Sequence, residues 1–145
     1  MNYHHKQIGW IVIAIILPII VIMLAATAGL PDYGPILLTV LIMLGAMALF
    51  YCLTISVNSR ALEFSFGIGL IHRTIKLEEM ESARQVRNPW YCGWGIRWFG
   101  KGWLYNVSGL DAVELQLKNG KIVRLGTDEP EALLRAINAN MGTRA

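Results

Sequence analysis

Between Ile8 and Val57 the chain carries one charged residue, Asp32, in a stretch of fifty. Its first part, Ile8 to Leu30, reads IGWIVIAIILPIIVIMLAATAGL, and its second, Ile36 to Val57, reads ILLTVLIMLGAMALFYCLTISV. A helix rises about 1.5 Å per residue, so each run, taken as one helix, matches a hydrocarbon core of roughly 30 Å. PDYGP, Pro31 to Pro35, separates them with the proline and glycine that stop a helix. The pattern predicts a hairpin of two transmembrane helices at 8–30 and 36–57. Residues 1–57 are then a membrane anchor, 58–141 a separate domain and 142–145 a short tail.

Charge sets the expected orientation. The connecting turn holds Asp32 and no base, whereas Lys6 precedes the first run and Arg60 and Arg73 follow the second. By the positive-inside rule both termini lie in the cytoplasm. Ala26-Thr27-Ala28 also fits a cleavage pattern, so a signal peptide is a rival for the first run. Its apolar stretch is longer than such peptides use. Pro18 is expected to kink the first helix, and Gly45, Ala46 and Ala48 permit close helix approach. With no acid, base or histidine at depth, the hairpin reads as an anchor rather than a conduit.

From Leu53 the period changes from helical to alternating. Strands are expected at Thr54–Val57, Leu62–Phe66, Leu70–Leu77, Met80–Val86, within Gly95–Val107, at Ala112–Lys118 and at Lys121–Leu125. In the third, Ile71, Arg73, Ile75 and Leu77 share one face. Asn119-Gly120 signals a type I′ hairpin. Asp128 and Glu131 suit the start of a helix whose apolar stripe is Leu133, Leu134, Ile137 and Met141, ended by Gly142. About seven antiparallel strands and one amphipathic C-terminal helix result.

That order, with RNPWYCGWGIR at 87–97, GWLYNVSGLDAVEL at 102–115 and NGKIVRLGTDEPEALLRAI at 119–137, resembles the bacterial membrane-anchored pleckstrin-homology-like (PH-like) proteins. The resemblance covers about residues 53–141. It implies a mostly-β barrel capped by the C-terminal helix, and a binding or assembly module with no catalytic residue set.

The residues themselves point away from catalysis. His72 is the only histidine after residue 5, and no nucleophile elbow, zinc-protease or P-loop pattern occurs. Gly67-Ile68-Gly69 reads as a turn, Glu78, Glu79 and Glu81 as a solvated acidic cluster, and His4 and His5 as a solvated pair. No metal ligand set and no cofactor is expected. Cys52 and Cys92 read as unpaired thiols. The net charge of +3 is too small to suggest nucleic acid.

Residues 88–105, NPWYCGWGIRWFGKGWLY, hold four of the five tryptophans. Trp90, Trp94, Trp98 and Trp103 are interleaved with Arg97 and Lys101, and these six residues form the candidate lipid or partner surface. Three readings stay open: core filling, contact with lipid headgroups, or a partner site built on Trp and Arg anchors. The leading expectation is a non-catalytic scaffold of the bacterial inner membrane. It presents a cytoplasmic PH-like domain to a membrane protein or a second copy. Recognition of anionic membrane lipid is the alternative, followed by an accessory role in a transporter or channel.

Overall fold

The computed structural model describes residues 2–29 and 31–142. Leu30, at the end of the first expected span, and 143–145 of the expected tail lie outside them. The first element is a strand, β1 (Tyr3–Ile8), where a tail before a helix was expected. Helices α1 (Trp10–Ala25) and α2 (Gly34–Phe50) follow. Then come β2 (Cys52–Val57), β3 (Ala61–Phe66), β4 (Ile71–Lys76) and β5 (Met80–Arg87). The chain ends with β6 (Gly95–Trp98), β7 (Gly102–Asn106), β8 (Asp111–Leu117), β9 (Ile122–Gly126) and α3 (Pro130–Gly142).

The expected transmembrane hairpin is overturned. At about 1.5 Å per residue α1 and α2 are only about 24 and 26 Å long, and no helix among the described residues is long and apolar enough to cross a membrane. The reason lies at the ends of the apolar stretch. Ile8 leaves it for β1, and Cys52, Leu53, Ile55 and Val57 leave it for β2, where they are paired and, except for Ile8, buried. Hydropathy adds residues of a buried strand to the helix that precedes them. A multi-pass placement in the bacterial inner membrane with both termini inside falls with the spans, because charge bias orients only segments that cross.

The expected single barrel of about seven antiparallel strands is also corrected. Nine strands among the described residues form two sheets. The first, β1-β2-β3-β4, is an antiparallel meander; the second has the order β5-β8-β9-β7-β6, with β7 and β9 parallel. One extra strand is β1, which pairs along β2 from Tyr3↔Val57 to Ile8↔Cys52. The helical hairpin is therefore an insertion between two paired strands. The other comes from the expected fifth strand, which folds back on itself at Gly100-Lys101. Gly100 has φ 87° and the Phe99 N–H donates to Gly102 O at 3.0 Å, so two residues, the glycine first, reverse the chain.

The sheets pack face to face. Leu53, Ile55, Phe64, Phe66 and Ile75 of one meet Tyr105, Val113, Leu115, Val123 and Leu125 of the other. Leu133, Ala136 and Ile137 of α3 join the same core. Phe64 and Tyr105 bridge the sheets with ring centroids 4.7 Å apart. The stripe expected on α3 thus faces the core, but its start differs. The Glu129 N–H donates to Thr127 Oγ1 at 3.1 Å, while Asp128 is bound 2.6 Å from His5 Nε2 on β1. This exposed tie joins β1 to α3; His5→Ala is expected to cost about 0.5–1 kcal/mol in denaturant unfolding.

The Asn119-Gly120 turn closes the β8–β9 hairpin as expected, though not as type I′. The Gly120 N–H donates to Leu117 O at 2.8 Å, Gly120 has φ 81°, and no non-glycine residue among those described has positive φ. It is a type I turn followed by a left-handed glycine, the three-residue alternative.

Candidate functional site

The hairpin is seated on the sandwich by two glycines. The Gly9 N–H donates to Tyr51 O at 2.7 Å, closing the base where α1 begins and α2 ends. Gly67 follows β3 at φ 51°, and a Cβ there would stand 2.1 Å from Ala48 O. Phe50 packs edge-on against Phe66 at 5.6 Å, so the last turn of α2 rests directly on the core. Above this seat the helices meet little protein. Only Ile20 and Val40 are buried, while Ile15, Leu17, Val21, Ile22, Leu38, Leu41 and Ile42 are exposed. Pro18 sits within α1 without ending it. Gly45 has open space where its Cβ would be, so no close helix approach uses it.

The Trp-rich segment surrounds the uncovered edge of the second sheet. Register puts Ile96 opposite Tyr105 and Trp98 opposite Trp103, all on the inner face. Arg97 lies opposite Leu104 on the outer face. Trp98 is 60% exposed and Trp103 43%, their rings edge to face at 5.5 Å. They are not core filling.

Three of the six predicted residues, Trp98, Lys101 and Trp103, line one cavity of about 130 Å³ with Arg73, Lys121, Gly102, Ile122 and Val123. Arg73 reaches it from the other sheet: it sits opposite Phe64 on the inner face of β4 and donates from Nη1 to the Tyr105 hydroxyl at 3.1 Å. Trp94 and Arg97 do not line it, although Arg97 shares another cavity, of about 400 Å³, with Trp98. Trp94 and Arg97 line a groove of about 490 Å³ against the hairpin, with Val12, Ile16, Ala46, Phe50 and Ile96. Trp94 Nε1 donates to Gly109 O at 3.2 Å and Arg97 Nε to Trp94 O at 3.3 Å, which fixes both side chains there. Trp90 stands apart, exposed and edge-on to Tyr91.

Sequence reasoning missed Arg73 and Lys121 as members of the cavity. A signal for Arg73 was present: alternation put a cation among Ile71, Ile75 and Leu77 on an apolar face. Lys121 carried none, since a lysine after Asn-Gly is ordinary turn chemistry.

On the outer face the cross-strand row Arg84, Glu114, Arg124, Leu104 and Arg97 runs over five strands. Glu114 is 4% exposed and accepts from Arg84 Nε at 2.8 Å and Arg124 Nε at 2.6 Å. Burial pushes its carboxyl pKa up, but the hydrogen bonds from Arg124 and Arg84 outweigh this and hold it below the usual value. Arg124 also donates to Asn88 Oδ1 at 3.3 Å and lies 4.3 Å over the Phe99 ring. This row fixes the β6–β7 ribbon and the 88–94 loop to the sheet. Among the described residues no group of His, Cys, Asp or Glu is placed to hold a metal ion.

No protein-family model matches the chain, and no curated protein matches it in sequence.

Proposed function

We propose that the chain is a non-catalytic binding module that buries its apolar hairpin in lipid and holds the β-sandwich, with its Trp- and Arg-bearing edge, at the lipid surface. The observation that carries this reading is the groove that makes the hairpin's apolar flank continuous with Trp94, Ile96 and Arg97 of the sandwich. An apolar surface with a tryptophan and a guanidinium at its margin suits the boundary between acyl chains and headgroups. Lys6 Nζ over the Tyr51 ring at 5.2 Å and exposed Trp10 add a cation and an aromatic at the same level of the hairpin. Lipid is favoured over a protein partner because the exposure runs around the helices rather than along one stripe. A protein groove covers a face, whereas acyl chains cover a surface. The reading needs burial in acyl chains and no crossing helix. Kinship with PH-like proteins belongs to the same proposal, supported by α3 packing on antiparallel strands.

The full chain, freed of detergent, is expected to float with neutral phosphatidylcholine vesicles. Leu41→Asn is expected to weaken this about tenfold, through loss of about 1.5 kcal/mol of apolar transfer. A chain that stays in the aqueous phase as a monodisperse monomer contradicts the reading.

A further inference from the structure

We infer that the open end of the sandwich is a binding site for a phosphate-bearing anion, held by Arg73, Lys101 and Lys121 against the Trp98–Trp103 pair. The inference rests on the binding-module reading and names the chemistry of one of its surfaces.

Three cations from different parts of the chain line one cavity: Arg73 from β4, Lys101 from the β6–β7 turn and Lys121 at the entrance to β9. No acid is among the lining residues. Like charges that line one cavity with no acid in its wall repel, and an anion reverses the sign of that energy. The cavity, at about 130 Å³, is wide enough for a phosphate group and too small for a large organic ligand. Arg73 is positioned before any ligand arrives, because one of its donors is held by the Tyr105 hydroxyl. Its other donors present the fork that matches phosphate oxygens. Lys101 and Lys121 are exposed point charges on two turns. The Trp98 and Trp103 rings form an apolar wall, against which the organic part of a phosphate ester rests while its charge faces the three bases. The backbone here has no slack: a Cβ on Gly102 would stand 1.9 Å from Ile122 O, so β7 and β9 hold the walls at fixed separation.

The chemistry is shared by a lipid headgroup and a soluble phosphate ester. Two probes separate them: inorganic phosphate, and vesicles of phosphatidylcholine with or without phosphatidic acid. For the full chain, phosphate is expected to change tryptophan emission saturably. The double variant Lys101→Gln with Lys121→Gln is expected to weaken phosphate binding about thirtyfold, from about 1 kcal/mol per lysine. Its thermal midpoint and its flotation with neutral vesicles should stay as in the parent. If phosphatidic acid strengthens flotation of the parent and the double variant loses that gain, the anion is a headgroup. If phosphate binds and phosphatidic acid adds nothing, it is a soluble ester. If neither probe distinguishes parent from double variant, or neither binds, the site is refuted. Neutral-vesicle flotation reports separately on the hairpin.

Discussion

Replacing Glu114 with alanine is expected to lower stability by about 3 kcal/mol, measured by denaturant unfolding of the full chain. The carboxylate is buried and bound on both oxygens by guanidiniums. Arg84 is largely exposed and regains water when its partner goes; Arg124 is only 20% exposed and does not. Breaking a buried pair from one side leaves such a charge uncompensated, and that is where most of the cost arises. The same group makes stability depend on pH. Its folded pKa lies below its unfolded value of about 4.5. Its contribution is therefore fully present above about pH 5 and is lost as pH falls through the folded value. The parent's thermal midpoint should drop over that acid range, and Glu114→Gln should flatten this part of the curve. An unchanged acid slope would mean that the carboxylate is not held by the arginines.

Gly67→Ala is expected to cost about 2–4 kcal/mol, for two independent reasons. At φ 51° an alanine is strained. Its Cβ would also sit 2.1 Å from Ala48 O and 2.5 Å from Leu49 O, and both are helix backbone that has no rotamer to yield. Relief requires lifting the end of α2 off Phe66, so near-ultraviolet dichroism should change along with stability. Gly69→Ala serves as the control. It shares a positive φ but meets nothing within 4 Å, and should cost about 1 kcal/mol.

Local signals were read well where they are self-contained. The alternation of Val113, Leu115 and Leu117, the Asn-Gly turn and the stripe on α3 each declare a face or a reversal within a few residues. The β8–β9 hairpin and α3 were legible for that reason. Finer chemistry at the same places was not. Asp128 is a favoured capping residue in isolation, yet its carboxylate is taken by His5, more than a hundred residues away in sequence. Of the candidate site, Trp98, Lys101 and Trp103 were legible from their composition and spacing. That they share a cavity with Arg73 was not, because the cavity lies between two sheets.

The sequence by itself determined that the nearly uncharged stretch contains two helices joined by a turn, that the rest is chiefly β, and that a helix packs at the end. Those properties follow from period and polarity, which are local. Only the tertiary structure decided where the apolar stretch stops being helix, since a residue buried in a sheet and one at a helix end have the same hydropathy. It alone decided that residues 3–8 pair with β2 across the whole insertion, because strand pairing is a contact between segments. For the same reason it alone separated the Trp-rich segment into a hairpin-side groove and a basic cavity. One-residue alternation sends neighbouring side chains to opposite faces, and what each face meets depends on strands elsewhere in the chain.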